Sequence, residues 1–245
     1  MPEGPTIVIL KELVNKFKDE TIIEATGNAK FDKAILLNKK VIDFKSWGKH
    51  FLICLPSITI RIHFLLFGSY SIDEKTKPQQ RLRLHLNFKN GALYFYTCAV
   101  KVIDEPLNEI YDWTADVMNS KWAHKKAMQK LKNIPGTLAC DALLDQEIFA
   151  GVGNIIKNEV LYRVKIHPES IVGDIPSNTL SKMVKEARNY SLDFLKRKKA
   201  FELKKHWLAY SKETCRRCDL PFKKEHLGKT KRRTFFCNNC QMLYQ

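Results

Sequence analysis

Residues Ala142–Tyr162 read ALLDQEIFAGVGNIIKNEVLY, and this stretch constrains the fold more than any other. An apolar helical pattern runs to Gly151, the chain turns through Gly151-Val152-Gly153, and Asn154 stands where an N-cap opens a second helix. The stretch therefore predicts two helices joined by a glycine-rich turn. Free N–H groups and the positive end of the second helix would suit a phosphate, but a purely structural turn fits the same residues equally well.

The sequence on both sides of this turn is helical from about residue 120 onward. Amphipathic patterns predict four helices. They span Lys121–Lys132, Cys140–Phe149, Asn154–Val164 and Asn178–Lys198.

Upstream of the helical region, from about residue 20 to 104, the chain is rich in short β-type runs. Arg81–Phe88 alternates polar and apolar residues, and the Lys89-Asn90-Gly91 turn that follows predicts a hairpin. A helix near Thr6–Phe17 precedes these strands. The region therefore predicts an antiparallel sandwich or barrel. Its predicted strands are Lys40–Phe44, His50–Leu55, Ile58–Phe64, Gly68–Ile72, Arg81–Phe88 and Ala92–Thr97.

The C-terminal tail carries two CxxC pairs, Cys215/Cys218 and Cys237/Cys240, separated by 18 residues. This spacing is typical of a zinc site in which a β-hairpin brings the two pairs together. Four thiolates complete a tetrahedron, so one structural Zn²⁺ is expected. A redox CxxC is the alternative, but no thioredoxin-like βαβ pattern surrounds either pair. The remaining cysteines, at positions 54, 98 and 140, lie singly in apolar stretches and are expected to be buried, inert thiols.

The chain of 245 residues has 42 Lys and Arg against 26 Asp and Glu, a net charge of +16. Such an excess indicates a polyanionic partner. A peripheral membrane protein would concentrate its charge on one amphipathic helix, whereas here several segments are basic. Neither a membrane-spanning run nor a signal sequence is apparent, so a cytoplasmic, nucleic-acid-binding protein is expected (nucleoid-associated in a bacterium). The basic segments include Lys196–Lys199, Lys204-Lys205 and the hairpin cations Lys229, Lys231, Arg232 and Arg233.

Three segments together resemble the formamidopyrimidine-DNA glycosylase and endonuclease VIII family. The start Met1-Pro2-Glu3-Gly4-Pro5 is similar to the family's N-terminus, and its Gly4-Pro5 is closer to endonuclease VIII. Asp145–Asn154, continuing to His167-Pro168, resembles the helix–two-turn–helix motif, and Arg232–Gln241 resembles the zinc finger. The resemblance implies an α+β multidomain fold: an N-terminal β-sandwich with a leading helix (residues 1–118), a helix–two-turn–helix domain (119–212) and a four-Cys zinc finger (213–245).

The resemblance also implies a chemistry at the N-terminus. After removal of Met1, Pro2 would be the nucleophile, because a secondary α-amine with a pKa of about 7.7–8 has a usable neutral fraction at physiological pH. Glu3 would be the acid–base group that protonates the opening sugar ring. The family's second glutamate is replaced here by Thr6, which does not titrate near neutral pH, so glycosylase efficiency or substrate range is expected to differ.

Further residues acquire DNA-binding roles through the resemblance. Lys49 would contact phosphate beside the lesion and assist base release, and Asn154 and Arg232 would hold backbone phosphates. Leu65, Leu66 and Phe67 would fill the gap left by a flipped nucleotide. Three apolar residues in a β-rich stretch are also typical of a buried core, so both interpretations of this run are open.

The sequence thus predicts a bifunctional DNA glycosylase and abasic-site lyase of base excision repair. Its partner would be damaged double-stranded DNA, its preferred lesions oxidised pyrimidines with oxidised or ring-opened purines as the alternative, and its state a monomer. The competing hypothesis is a non-catalytic lesion- or nucleic-acid-binding protein with the same fold. Pro2, Glu3 and Lys49 separate the two hypotheses and favour the enzyme.

Overall fold

The computed structural model describes residues 2–245 and divides into two units, the first ending at Tyr111 and the second starting at Asp112. Each unit has its own hydrophobic core. The predicted boundary at 118/119 lies later in the chain than this division. The predicted boundary at 212/213 has no counterpart in it, because the helices and the four-cysteine tail here form one unit. Among the described residues, no helix is both long and apolar enough to cross a membrane.

The first unit contains two four-stranded antiparallel sheets, ordered β1-β6-β7-β5 and β2-β3-β4-β8. Their inner faces share one core, to which Phe51 and Ile62 contribute from one sheet and Leu84 and Phe95 from the other. The predicted β-sandwich is thus confirmed. Its strands are β1 Glu24–Thr26, β2 Asp43–Trp47, β3 His50–Cys54, β4 Thr59–His63, β5 Ser69–Ile72, β6 Leu82–Phe88, β7 Gly91–Tyr96 and β8 Ala99–Ile103.

The edge strands are where the sequence prediction was incomplete. Neither β1 nor β8 was predicted, and the first predicted strand, Lys40–Phe44, lies three residues too early. Thr97 explains the omission of β8: its φ of 50° interrupts the extended chain. As a result β7 pairs with β5 and β6, whereas β8 pairs with β4 in the other sheet. A single left-handed residue has no strong sequence signature unless it is glycine or asparagine.

The leading helix of the first unit is α1 (Gly4–Leu13), and the predicted remainder is a 3₁₀ turn, Asn15–Phe17. Glu3 is its N-cap residue. The Thr6 hydroxyl accepts a hydrogen bond from the Glu3 N–H at 3.0 Å and donates to the Glu3 carbonyl at 2.7 Å. Thr6 therefore performs locally what Glu or Gln usually performs at the third position of a capping box.

The second unit is helical apart from its tail. The Asn154–Val164 helix is confirmed, and the fourth predicted helix differs by one residue at each end. The tail is a hairpin of β9 (Lys223–Leu227) and β10 (Arg232–Phe236). The helices after α1 are α2 Leu107–Ile110, α3 His124–Lys132, α4 Ala139–Ala142, α5 Asn154–Val164 and α6 Ser177–Lys199.

Two details at the glycine-rich turn correct the sequence prediction. The predicted helix Cys140–Phe149 ends at Ala142, because the Asp145 carboxylate accepts the Glu147 N–H and starts a separate turn. The N-cap of α5 is Gly153 rather than Asn154, which is the first helical residue. The Asn154 side chain donates instead to the Arg233 carbonyl on β10.

Helix α5 lies at the centre of the second unit. Every residue from Asn154 to Tyr162 is buried. The helix therefore has no solvent-facing side on which to place its polar residues, and each buried polar group requires a partner from a neighbouring element.

The cap at Thr6 predicts a stability effect. Thr6→Val keeps the shape of the side chain but removes both hydrogen bonds, so we expect the free energy of unfolding to fall by about 0.5–2 kcal/mol. Thr6→Ser retains the hydroxyl and is the matched control. Urea unfolding measures both variants, and equal stability of the two would refute the capping role.

Candidate functional site

The first candidate group, Pro2 and Glu3, stands at the start of α1. Pro2 is half-buried, and Glu3 is fully buried, with extended backbone angles of φ −128° and ψ 168°. The carboxylate belongs to the residue that caps the helix, where the free N–H groups and the positive end of the dipole stabilise negative charge. Thr6 holds the backbone of Glu3 through the two hydrogen bonds described above. The cap thus fixes the position of the residue that follows Pro2.

Lys49 is placed by a tight hairpin. Strands β2 and β3 are joined by the two residues Gly48 and Lys49, with Trp47 and His50 as the closing pair. Gly48 has a φ of 53°, a conformation that glycine adopts without steric cost. The turn leaves Lys49 half-buried at the end of the hairpin. A lysine in this position suits a phosphate contact better than a place in the core.

Aromatic and imidazole rings surround the base of this hairpin. The His50 ring contacts His63 on β4 at 5.2 Å between centroids, and its Nδ1 lies 3.2 Å from the Tyr111 hydroxyl. Burial, followed by the charges of Arg61, His63 and Lys49, lowers the pKa of His50 to about 3. Burial, Lys49 and Arg61 likewise lower the pKa of His63. Both imidazoles are therefore neutral at physiological pH, and the local positive charge belongs to Lys49 and Arg61.

The apolar run between β4 and β5 is on the surface. Leu65 is 52% exposed, Leu66 42% and Phe67 80%. The loop closes through a hydrogen bond from the Gly68 N–H to the Phe64 carbonyl, and a Cβ at position 68 would lie 2.3 Å from that oxygen. Phe64 is buried and anchors the loop. The core interpretation of these three residues is thus excluded, and their role as a wedge stays a prediction.

In the second unit, Gln146 shapes the glycine-rich turn. Its amide nitrogen donates to the carbonyls of Leu144 and Val152, and its amide oxygen accepts the Gly151 N–H at 3.1 Å. Gly151 has a φ of 101°. One side chain therefore spans the turn and orients the start of α5.

The start of α5 is bonded to strand β10. The Asn154 side-chain amide donates to the Arg233 backbone carbonyl at 2.9 Å, and the Asn158 side-chain oxygen accepts the Phe235 N–H at 2.7 Å. Lys157, fully buried, donates from Nζ to the Thr234 hydroxyl at 2.7 Å. The predicted phosphate ligand Asn154 thus also serves as a structural link to the hairpin that carries Arg232.

The tip of the hairpin is held at a second point. The Asp141 carboxylate accepts the Lys229 N–H with both oxygens at 3.0 Å. Gly228 makes this approach possible, because a Cβ there would lie 2.3 Å from the same carboxylate. Arg232, the first residue of β10, is half-buried beside this anchored turn. The hairpin therefore presents its cations from a rigid support.

The four tail cysteines converge as the spacing predicts. The Sγ atoms of Cys215, Cys218, Cys237 and Cys240 all lie within 4.8 Å of one another. The pair Cys215–Cys240 is 3.7 Å apart, and thiolates at about 2.3 Å from one tetrahedral Zn²⁺ would be separated by about 3.8 Å. The donor set therefore fits a closed metal site. The Tyr162 hydroxyl at 3.4 Å from Cys215 Sγ and the Asn239 amide at 3.2 Å from Cys218 Sγ are hydrogen-bonding groups suited to thiolates.

The other cysteines behave as expected for core residues. All three are buried and free. Burial raises the pKa of Cys98 to about 12 and that of Cys140 to about 11, and it also raises the pKa of Cys54. Thiols of this kind are poor nucleophiles.

Several residues that hold the site were not predicted. Glu159 is the clearest case: its buried carboxylate accepts the backbone N–H groups of residues 208, 209 and 210 at 2.8–3.0 Å. It ties the segment before the cysteines to α5. Polar residues inside the otherwise apolar helix α5 were the available signal, but Lys157, Asn158 and Glu159 have partners 49–77 residues away in sequence. The unpredicted supports are Asp141, Gln146, Lys157, Asn158 and Glu159.

Comparison with protein families agrees with this geometry. Residues 1–100 match the formamidopyrimidine-DNA glycosylase N-terminal domain, and residues 106–200 match the H2TH domain of the same proteins. The chain belongs to the formamidopyrimidine-DNA glycosylase and endonuclease VIII family. The family resemblance predicted from the sequence is thereby confirmed.

Curated relatives within the family include endonuclease 8-like proteins. Endonuclease 8-like 3 of Xenopus laevis is 32% identical over 90% of this chain, and Endonuclease 8-like 2 of Mus musculus is 32% identical over 74%. The chain spans only 38% of the first protein and 57% of the second. Formamidopyrimidine-DNA glycosylase of Lactobacillus helveticus is 26% identical, with both chains fully covered.

Solved structures share the fold. A viral DNA glycosylase superposes with a TM-score of 0.84 at 23% identity, covering 98% of this chain and 100% of its own. A Lactococcus lactis formamidopyrimidine-DNA glycosylase, solved bound to DNA containing an abasic site, gives 0.82 at 21% identity, covering 98% of this chain and 99% of its own. The predicted α+β class is confirmed.

The half-buried imidazole of His50, beside Lys49, predicts a pH effect on stability. The unfolded His50 titrates near 6.5 and the folded one near 3, so between these values the unfolded chain binds a proton that the folded chain does not. Unfolding free energy should therefore fall as the pH drops from about 6.5 towards 3.

His50→Gln should flatten this decline, although His63 retains a smaller effect of the same sign. Urea unfolding across that pH range measures the slope. The exposed His226→Gln is the control, and a wild-type slope in His50→Gln would contradict the assignment.

Proposed function

We propose that the protein is a bifunctional DNA glycosylase and abasic-site lyase that excises damaged bases in base excision repair. Family membership supports the glycosylase class. The observation that carries the catalytic proposal is the buried Glu3, which caps α1 directly after Pro2 and is held there by Thr6. A buried carboxylate directly after Pro2 in the chain supports Glu3 as the acid–base group and Pro2 as the secondary-amine nucleophile.

The proposed reaction starts once Met1 has been removed. The neutral nitrogen of Pro2 attacks C1′ of the deoxyribose, the bond from C1′ to the base breaks, and the base leaves with the bonding electrons and takes up the proton that the Pro2 nitrogen loses. Glu3 protonates the ring oxygen as the sugar opens, which yields a cationic iminium between Pro2 and C1′. The iminium acidifies the C2′ proton. Loss of that proton expels the 3′ phosphate by β-elimination, and δ-elimination then expels the 5′ phosphate.

Phosphate binding would be shared by three side chains. Lys49 extends from its hairpin in a neighbourhood whose imidazoles are neutral, so its ammonium and the Arg61 guanidinium carry the positive charge there. Asn154 and Arg232 stand on elements joined by the Asn154–Arg233 hydrogen bond. Contacts of this kind position the DNA and carry no sequence information.

The exposed loop Leu65-Leu66-Phe67 supports a wedge role. Flipping a nucleotide costs a few kcal/mol, and an apolar side chain inserted into the gap recovers part of that cost. We propose oxidised pyrimidines as the preferred bases, with oxidised or ring-opened purines as the alternative. Structures of the Lactococcus lactis relative have been solved with DNA containing an oxidised pyrimidine and with DNA containing FAPY-dG. We further propose damaged duplex DNA as substrate and a monomeric protein.

Borohydride trapping on a duplex with one abasic site tests the chemistry. The Met1-free protein should form a covalent adduct, and peptide mass spectrometry should locate it at residue 2. Protein that retains Met1 should form none, because its Pro2 nitrogen is an amide. DNA binding without any trapped adduct would refute the lyase and leave the non-catalytic lesion-binding protein.

Excision of a damaged base tests Glu3 separately. Glu3→Gln removes the titratable proton at nearly constant volume, so we expect a rate loss of about 100-fold or more. Circular dichroism verifies that the variant is folded.

Metal content tests the proposed zinc. The purified protein should hold one Zn²⁺, and Cys237→Ser should lose it, with a lower Tm and weaker DNA binding because the hairpin carrying Arg232 loses its support. Cys98→Ala, outside the cluster, is the control and should retain zinc. Unchanged zinc content in Cys237→Ser would show that the four cysteines do not form the site.

A further inference from the structure

The end of helix α6 carries an unusual phenylalanine. Phe201 is 94% exposed, more than any other large hydrophobic residue among residues 2–245. Its backbone has a φ of 59°. The Phe201 N–H bonds to the Lys198 carbonyl and the Glu202 N–H to the Arg197 carbonyl, which closes the helix in a Schellman motif. Phe201 therefore occupies the left-handed position that glycine usually fills.

This placement has no benefit for the fold. A side chain with a Cβ in the left-handed region costs about 1–2 kcal/mol, and an exposed ring recovers almost nothing from burial. The next residue but one, Leu203, is buried and already anchors the segment. A residue that strains the backbone without packing is a candidate for a role in binding.

The surroundings of Phe201 are strongly cationic. The ten residues 196–205 include five lysines and one arginine against one glutamate. Arg197 pairs with Asp193 at 2.6 Å, and Glu202 lies 3.9 Å from the His206 ring. The lysines are exposed. They are Lys196, Lys198, Lys199, Lys204 and Lys205.

An exposed aromatic ring among lysines matches the chemistry of single-stranded nucleic acid. Its phosphates pair with ammonium groups, and its unpaired bases offer a face for stacking. Duplex DNA would use the lysines but not the ring, because its bases are already stacked. An acidic peptide would also use the lysines alone. The exposed Phe201 ring therefore favours single-stranded nucleic acid, whose bases are free to stack, over duplex DNA and acidic peptides.

We propose that residues 196–205 form a binding surface for single-stranded DNA, with one base stacked on Phe201 and the adjacent phosphates on the flanking lysines. The surface lies in the second unit and makes no use of Pro2 or Glu3. It therefore goes beyond the proposed function and can be tested separately.

Fluorescence anisotropy at one fixed salt concentration tests the stacking. The probes are an oligothymidylate and inorganic polyphosphate of equal charge, which offers phosphates but neither bases nor abasic sugars. Phe201→Gly should raise the Kd for oligothymidylate at least about five-fold and leave the Kd for polyphosphate unchanged. Phe201→Trp should bind oligothymidylate at least as tightly as wild type, whereas Phe201→Leu should resemble Phe201→Gly.

Stability provides the second readout. Because glycine suits the left-handed position, Phe201→Gly should have a Tm equal to or above that of wild type. Leu192→Ala, another exposed apolar residue on α6, is the matched control and should leave both Kd values unchanged. Lys198→Gln/Lys204→Gln should weaken binding of both probes, and more than Lys125→Gln/Lys126→Gln, which removes two exposed charges from α3.

The proposal fails if folded Phe201→Gly binds oligothymidylate like wild type, or if it weakens both probes equally, which would mean a contact to phosphate alone. It also fails if an acidic peptide of matched charge competes as well as oligothymidylate. Borohydride trapping reports on Pro2 independently, so a failure of the lyase chemistry and a failure of this surface are distinguishable.

Discussion

The complete burial of the first nine residues of α5 is the constraint on which the second unit depends. Asn154, Lys157, Asn158 and Glu159 lie in that stretch, and a buried polar group without a partner costs about 1–3 kcal/mol. Their partners come from β10 and from the segment before the first cysteine. Satisfying the helix therefore requires the hairpin to dock where it does, which explains why helices and tail form one unit.

The docking bears on the phosphate-binding role proposed for Arg232. Hydrogen bonds from α5 hold the strand that it begins, Asp141 holds the tip of the hairpin, and the four thiolates are suited to closing its base around a metal ion. A long cationic side chain loses rotamer freedom when it binds phosphate. A backbone that is already rigid avoids a further loss of conformational entropy on binding. In the first unit, the two-residue turn Gly48-Lys49 supports the backbone of Lys49 in a similar way.

A few exposed apolar residues contribute nothing to the stability of the fold, and the roles proposed for them lie in binding. Phe67 and Phe201 leave large apolar surfaces in water, and Leu65 and Phe201 adopt left-handed backbone angles. Neither feature stabilises the folded chain. Thr6, in contrast, stabilises the fold, because its hydroxyl makes two hydrogen bonds to the backbone of the N-cap residue of α1.

By itself the sequence determined an antiparallel β-rich first unit, helix α5 and the convergence of the four cysteines, because alternation, helical periodicity and the CxxC spacing are local properties of the chain. Local patterns did not predict the features that depend on contacts between residues distant in sequence. The tertiary structure alone showed that the predicted helix after Cys140 ends at Ala142, that Asn154 bonds to a strand 79 residues away, and that Leu65, Leu66 and Phe67 are exposed. Burial and hydrogen-bond partners are set when segments that are distant in sequence pack together. A polar residue in an apolar pattern indicates that it needs a hydrogen-bond partner, but the pattern does not identify that partner.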